Sequence, residues 1–400
     1  MSNFNTNVTG DSGMSAEMRA YYDKNLIENA KPGLVHAQFG QKRVVPKNAG
    51  RTVEFRKYDN LPKALTPLTE GVTPDGKKLN VSTVSATLSQ YGDYVAISDM
   101  LELTALDRNI VEAQDILGDQ AGRTLDTITR EVLNGGTNVQ YAGGKISRGA
   151  LTATDILTEK DVKKAATTLK NGLASKISGS YVAIIHPNVA HDLMGSTLWE
   201  DVKKYDPKDL YEGELGRLYG VRFVESTEAK IFGGETLCGT HKTLSIATAL
   251  STAGRTLTLN EQLTEDEAKE LTGKTFYLAG KRYTVASATS GQSSTLTVSA
   301  SDDAIPAADA AKDAVLYEGT GASDGGAVYS TLFLGQNAYG DVELSGGGLE
   351  SIVKQRGSGG TADPLNQRST VGWKAAKAAV ILTDAFMVRV ECRSSMDEGV

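Results

Sequence analysis

Apolar residues recur at steps of three or four through Leu103, Leu106, Ile110, Ala113, Leu117, Ala121, Leu125, Ile128 and Val132. That spacing lines one face of a helix and predicts a single long helix over residues 107–136. Asn109 and Glu112 stand three apart, as a capping pair does, and Gly135-Gly136 predicts a left-handed end. No proline interrupts the run. At 1.5 Å rise per residue the helix would be roughly 40 Å long, more than a small domain needs. Glu112, Asp115, Asp119, Asp126 and Glu131 outnumber Arg123 and Arg130 away from the stripe, so an acidic solvent face is expected. The pattern fits a strut, and it fits an ordinary core helix of a two-layer domain equally well.

Upstream the period changes. Residues 1–15 are polar, and 15–29 carry one amphipathic stripe (Met18, Tyr21, Tyr22, Leu26, Ile27), capped by Ser15 and stopped by Lys31-Pro32-Gly33. The segment 1–49 is read as an N-terminal arm. Over 50–97 the pattern alternates, with strands at Thr52-Val53-Glu54-Phe55-Arg56-Lys57-Tyr58 and Val81-Ser82-Thr83-Val84-Ser85-Ala86-Thr87-Leu88. Between them, 61–78 holds Pro62, Pro67 and Pro74 and ends in the turn Pro74-Asp75-Gly76. Two long strands with such a tip cannot build a core of their own. The hairpin must fold back on its domain or reach a neighbour, since long bare edges invite pairing.

Downstream, 138–154 reads as glycine-rich loop and 157–173 as a helix with Ala165, Ala166 and Leu169 inward. Tyr181-Val182-Ala183-Ile184-Ile185 is a continuous apolar run, as expected of a central buried strand. His186-Pro187-Asn188 turns it into a helix through Leu193, and a further strand ends at Val224. These elements make one α+β unit. From 240 to 326 the composition shifts to Thr, Ser and Ala with short alternating strands, a tight turn at Ala279-Gly280 and a capping box at Thr264 and Glu267. This predicts a small all-β domain inserted in a loop, with 319–326 as a flexible glycine-rich exit. The apolar pattern of the host unit resumes at 328–334. Strands are expected again at 349–355, at Gly372-Trp373-Lys374-Ala375-Ala376-Lys377 and at Phe386-Met387-Val388-Arg389-Val390-Glu391.

Composition narrows the function. A net charge of −7 argues against a protein whose main task is gripping nucleic acid, though not against one that surrounds it. Cys238 and Cys392 are too few and too distant for a disulfide framework, which fits a reducing compartment. The N-terminus has no basic flank or apolar core and is not expected to be a signal peptide, and no apolar stretch is long enough to cross a bilayer. The candidates for chemistry are weak. His186 and His191 are five apart, off the helical step that would place two ligands on one face. Cys238 lacks a partner histidine at a motif spacing and reads as a buried small residue. Gly319-Thr320-Gly321-Ala322-Ser323-Asp324-Gly325-Gly326 lacks the Lys-Ser/Thr of a phosphate loop and opens no helix. Lys77 and Lys78 read as solvated charges. No catalytic, cofactor-binding or metal-binding residue is assigned, no cofactor is expected, and the chain is not read as an enzyme.

The order of parts resembles the major capsid protein of a tailed phage with the Hong Kong 97-type fold, nearest to the coat-protein family of a group of short-tailed phages. The likeness rests on Thr52-Val53-Glu54-Phe55-Arg56, on Tyr181-Val182-Ala183-Ile184-Ile185-His186-Pro187 and on Gly216-Arg217-Leu218-Tyr219-Gly220-Val221-Arg222-Phe223-Val224. It also rests on Asp363-Pro364-Leu365-Asn366-Gln367-Arg368 leading into Val371-Gly372-Trp373-Lys374. It covers most of the chain except 240–326. The resemblance implies an α+β fold divided into an N-terminal arm (1–49), an extended hairpin loop (50–97) and a peripheral domain with a spine helix (98–154). An axial domain (155–239, returning at 327–344) is interrupted by the insert (240–326), and 345–400 returns to the peripheral domain. It further implies pentamers and hexamers of one chain in an icosahedral shell around double-stranded DNA, bound without sequence specificity. A portal is implied, as are a possible decoration protein, no membrane, and assembly in the host cytoplasm before residence in the virion. An acidic spine suits a wall that must not trap the packaged DNA. The short segment before the hairpin leads us to expect a separate scaffolding protein. The alternative reading is an encapsulin-like cage enclosing cargo enzymes. A secreted adhesin, suggested by the Thr/Ser-rich insert, and an enzyme with a β-insertion fit less well.

Overall fold

The computed structural model describes residues 34–46, 50–58, 61, 63–68, 70–71, 73, 76–100, 109–196, 216–233, 236–241, 243–344, 348–354, 365 and 367–397. The chain opens with β1 (Gln41–Val45), β2 (Thr52–Tyr58), β3 (Val81–Thr87), β4 (Ser89–Ser98) and the long helix α1 (Asn109–Asn134). Then come β5 (Val139–Tyr141), α2 (Glu159–Asn171), β6 (Tyr181–Ile185), α3 (Pro187–Met194), β7 (Arg217–Leu218), β8 (Val221–Glu225) and β9 (Ile231–Phe232). The inserted segment holds β10 (Leu244–Ser245), β11 (Thr256–Thr258), α4 (Glu265–Leu271), β12 (Thr275–Leu278), β13 (Lys281–Ala288), β14 (Thr295–Val298) and β15 (Val315–Glu318). The chain closes with β16 (Val328–Leu334), β17 (Tyr339–Leu344), β18 (Glu350–Lys354), β19 (Arg368–Ile381) and β20 (Met387–Cys392). Two compact units result, one from Met1–Gly135 with Gln336–Asp384 and one from Gly136–Gly335 with Ala385–Val400.

In the first unit β19 is the organising strand, longer than the short strand expected at 372–377. It pairs antiparallel with β18 and β4 along its first part and with β17 along its last. Val371, Trp373 and Ala375 alternate to one face of it and pack on Leu117, Ala121 and Leu125 of α1, at the spacing the stripe predicted. Of the other expectations for this helix, some fall outside the described residues and two are corrected. Leu103 and Leu106 lie outside the described residues, as does the side chain of Asn109. Neither Gly135 nor Gly136 is left-handed. The Gly135 N–H bonds to Val132 O at 3.0 Å and the Asn134 side-chain amide to Arg130 O at 2.8 Å. The helix end thus closes on these two carbonyls without a left-handed residue. Asp126 is not on the solvent face; it is fully buried against His36.

The arm and hairpin also differ from expectation. The amphipathic segment 15–29 lies outside the described residues, but 41–45 is no free arm, because β1 pairs parallel with β17. β2 and β3 pair antiparallel from Thr52↔Thr87 to Tyr58↔Val81, as predicted. The hairpin stops there. Residues 89–97, expected to belong to it, lie in β4 within the main sheet.

The second unit is built on a sheet ordered β5-β20-β16-β6-β8-β7, with β9 on β16. β6, β16 and β20 are buried at every position, which accounts for their unbroken apolar or paired character. α2 covers the sheet with Val162, Ala165, Ala166 and Leu169. A capping box between Thr158 and Asp161 starts it. The loop expected at 138–154 contains β5, paired parallel with β20. The return of the chain is corrected too. Of the return expected at 327–344, β16 alone rejoins this sheet and β17 belongs to the first unit, whereas β20, expected in the peripheral domain, pairs with β16 along its full length.

The insert has its own core, which includes Leu237, Leu257, Phe276, Val285, Leu296 and Leu316. Its strands run β10-β15-β12-β13-β14-β11. The ends are joined by the bridge Ile246↔Leu259, with Ala247 N–H to Thr258 O at 2.8 Å and Asn260 N–H to Ser245 O at 3.0 Å. The sheet is thus a closed barrel. Thr264 and Glu267 form the predicted capping box, and Ala279 and Gly280 both take positive φ in the β12–β13 turn. The boundaries shift: Leu237 and Cys238 belong to the barrel core, whereas Ala322 packs in the core of the host.

Candidate assembly surfaces

The root of the β2–β3 hairpin is fixed by Phe55. Its buried ring sits with Val45, Ala86, Leu88, Val342 and Ala378, and a Cβ at Gly340 would come within 2.5 Å of Phe55 Cζ. Arg43 lies 5.1 Å from the ring centroid and donates from Nη1 to Glu54 O at 2.8 Å. Beyond this anchor the described residues of 61–80 carry no regular structure, and the leucines there face water, Leu65 at 82% and Leu68 at 78% exposure. Leu61, Leu79 and Val81 are exposed as well. Burying a side chain of this kind is worth roughly 1.5–3 kcal/mol, so a cluster left in water marks a surface meant to be covered. Lys77 and Lys78 at the tip are exposed, while Pro74 and Asp75 of the predicted turn lie outside the described residues.

A second uncovered surface lies on the β18–β19–β4 sheet. α1 covers one face, where Trp373 Nε1 donates to Gln120 Oε1 at 3.1 Å. On the other face the register sets Ile352, Gly372 and Tyr94 side by side. A groove of ≈ 690 Å³ runs there. Gly372 keeps its floor low, since a Cβ would come 2.8 Å from Tyr94 Cβ. Tyr94 is 69% exposed, and Lys354, Arg368 and Lys374 add positive charge along the groove.

Beneath α1 the first unit holds buried polar contacts that sequence reasoning missed. His36 and Asp126 are hydrogen-bonded, and the Tyr339 hydroxyl donates to His36 O. Lys377 Nζ lies 2.6 Å from Asp341 Oδ1, both side chains being almost fully buried. Burial pushes the Asp341 carboxyl up, against the pull of the Lys377 ammonium. The first contact ties the chain before β1 to α1, the second joins β17 to β19, and these buried side chains offer little to solvent for chemistry.

The residues weighed from the sequence fall apart in space or into structural roles. His186 is the N-cap of α3, its Nδ1 accepting the Asn188 N–H at 3.2 Å, and Pro187 follows at the first helical position. Burial lowers the His186 pKa, opposed by Asp397. His191 is on the exposed side of α3, with Nδ1 3.7 Å from Asp192 Oδ1. Cys238 is buried and its thiol is pushed up to about 11 by burial, with Glu267 adding to the effect. Among the described residues no three His, Cys, Asp or Glu side chains gather as metal ligands, and no helix is long and apolar enough to cross a membrane.

Residues 319–326, expected to be a flexible exit, are packed. A Cβ at Gly319 would fall 2.5 Å from the Thr275 backbone, and one at Gly321 would fall 2.8 Å from Gly233 Cα. The glycines serve close approach and not mobility.

Comparison with known proteins gives the same architecture. The phage capsid protein family matches residues 81–236. No curated protein matches the sequence. The capsid of cyanophage Pam1 aligns over 98% of this chain and 96% of its own at 11% identity, with a TM-score of 0.56. The capsid of Ralstonia phage GP4 aligns over 90% of this chain and 88% of its own at 13% identity, with a TM-score of 0.53. The capsid of cyanophage P-SCSP1u aligns over 90% and 89% at 12% identity, with a TM-score of 0.52. The chain therefore has the Hong Kong 97-type capsid fold.

Proposed function

We infer that this chain is the major capsid protein of a tailed phage and that many copies of it form the shell. The observation that carries the reading is the pairing of this fold along nearly the whole chain with apolar residues at the hairpin tip that no described residue of the first unit covers. A hairpin anchored at Phe55 and bare beyond it is stable only against a second copy. The groove beside Tyr94 and Gly372 is the surface of that copy we assign to such a contact. The role is structural.

On this reading the first unit is the peripheral domain with α1 as its spine, and the second is the axial domain. Copies associate as pentamers and hexamers in an icosahedral shell, assembled in the host cytoplasm with a separate scaffolding protein and a portal. Double-stranded DNA is enclosed without sequence-specific contacts, consistent with a net charge of −7. The likeness to short-tailed phages is part of the same proposal. The closed barrel suits the outer face, where a decoration protein would find it.

Expression with and without the neighbouring genes, followed by electron microscopy, tests this. Closed shells are expected when scaffolding is supplied. Subunits that stay monomeric in both cases would overturn the reading.

A further inference from the structure

The insert joins its host by two legs, the incoming one at β9 and the outgoing one at residues 319–326. β9 pairs with the start of β16 through Phe232↔Val328 and Ile231↔Tyr329, so the legs leave the sheet side by side. They remain in contact beyond it. A Cβ at Gly233 would lie 2.5 Å from Gly321 Cα, and Gly233 N–H donates to Thr320 Oγ1 at 3.0 Å.

Two arginines from elsewhere in the second unit grip these legs. Arg148, in the loop after β5, forks onto the buried Glu391 carboxylate of β20, with Nε and Nη2 each 2.7 Å from an oxygen. Its Nη1 donates to Thr320 O at 3.0 Å, and its guanidinium lies 3.4 Å from the Phe232 ring centroid. One side chain thus touches both legs and the central sheet. Arg393, 4% exposed and just past β20, donates from Nη1 to Asp324 Oδ1 at 2.8 Å. Its guanidinium fills the space that a Cβ at Gly326 would need. Ser323 N–H reaches Gly149 O at 3.2 Å, and Ala322 N–H reaches Gly326 O at 3.1 Å.

A flexible tether exposes its backbone to water and crosses few contacts. Here the outgoing leg has the reverse character, with paired amides and one charge-assisted hydrogen bond from each arginine. We propose that Arg148 and Arg393 form a two-point clamp that holds the inserted barrel in one fixed orientation on the second unit. The insert is then a rigid lever whose load passes into β16 and β20, and not a module on a string. This holds independently of whether the chain forms shells.

Hydrogen exchange read by mass spectrometry on the full chain tests the clamp. In the wild-type protein, amides of residues 320–326 should be protected. In Arg148→Gln and in Arg393→Gln they should exchange faster by roughly tenfold or more, a local opening, while β6 and β12 keep their rates. Unprotected amides at 320–326 in the wild type, or unchanged rates there in both variants, would overturn the proposal. If an arginine variant loses protection throughout the unit, Asp324→Asn carries the test, because it keeps an oxygen for the Gly326 N–H and removes only the charge that faces Arg393. Faster exchange confined to 320–326 supports the clamp, and no change there overturns it.

Discussion

His36 donates its backbone N–H to Asp126 Oδ1 at 2.7 Å and sets its imidazole Nδ1 2.6 Å from Oδ2 of the same carboxylate. Both side chains are almost completely shielded from water. The Tyr339 hydroxyl, from β17, bonds to the carbonyl of the same histidine. One residue just before β1 is therefore bound to the middle of α1 and to the sheet at once.

Asp126→Ala removes the acceptor and leaves two buried donors on His36 without a partner. The expected loss is about 3 kcal/mol, in the range for breaking one side of a buried pair. Urea unfolding checks it, as a lowered midpoint. Asp126→Asn, which retains one acceptor oxygen, should fall between the two. An Asp126→Ala midpoint equal to wild type would show that the contact adds nothing.

Leu65→Ser with Leu68→Ser should leave the free subunit as stable as before, within about 0.5 kcal/mol, because both residues are already in water. Assembly should fail, since the apolar tip assigned above to a contact with a second copy is gone. Sedimentation separates the outcomes. Normal closed shells from the double variant count against a role for the tip.

Acidification should weaken the second unit through His186. Burial holds its folded pKa below the ordinary 6.5, and the Asn188 N–H occupies Nδ1. The unfolded chain then binds the proton more readily, so this contribution is complete above 6.5 and is lost as pH falls through the window below it. Melting temperatures between neutral and mildly acid pH should drop more for wild type than for His186→Asn, which keeps a good N-cap. Parallel curves would rule this out.

Replacing residues 237–318 with a short Gly-Ser linker should leave the host fold intact. The barrel core and the host core share no buried residue, and Ala322 stays in place on the host side. Near-ultraviolet circular dichroism and a cooperative melt check this. A variant that expresses only as unfolded chain would show that the barrel is needed to build the second unit.

Local patterns were legible where one element decides its own structure. The period through Leu117, Ala121 and Leu125, the apolar run 181–185, the Thr264 and Glu267 box and the Ala279-Gly280 turn all appear as read. What escaped depends on partners far along the chain. Asp126 follows Leu125 at an ordinary helical step, and nothing near it announces His36, ninety positions upstream. Lys377 looks like a surface lysine in an Ala-Lys run until Asp341 is set beside it on β17. The glycines of 319–326 carry the composition of a linker, yet the atoms they make room for, on Gly233, Thr275 and Arg393, belong to distant segments. The arginine pairs of β20 were missed for the same reason, since Arg148 and Glu391 lie at opposite ends of the second unit's sequence.

The closure of the insert at Ile246 and Leu259 bears on crowding. In a particle every copy is held close to many identical copies, at a local concentration no free protein reaches. An open sheet displayed that way would offer each neighbour a row of unpaired amides and carbonyls, and particles would stick together through strand exchange. A barrel whose first and last strands bond to each other has no such row to offer. On the outer-face placement proposed above, particles bearing it would collide at high density and separate again.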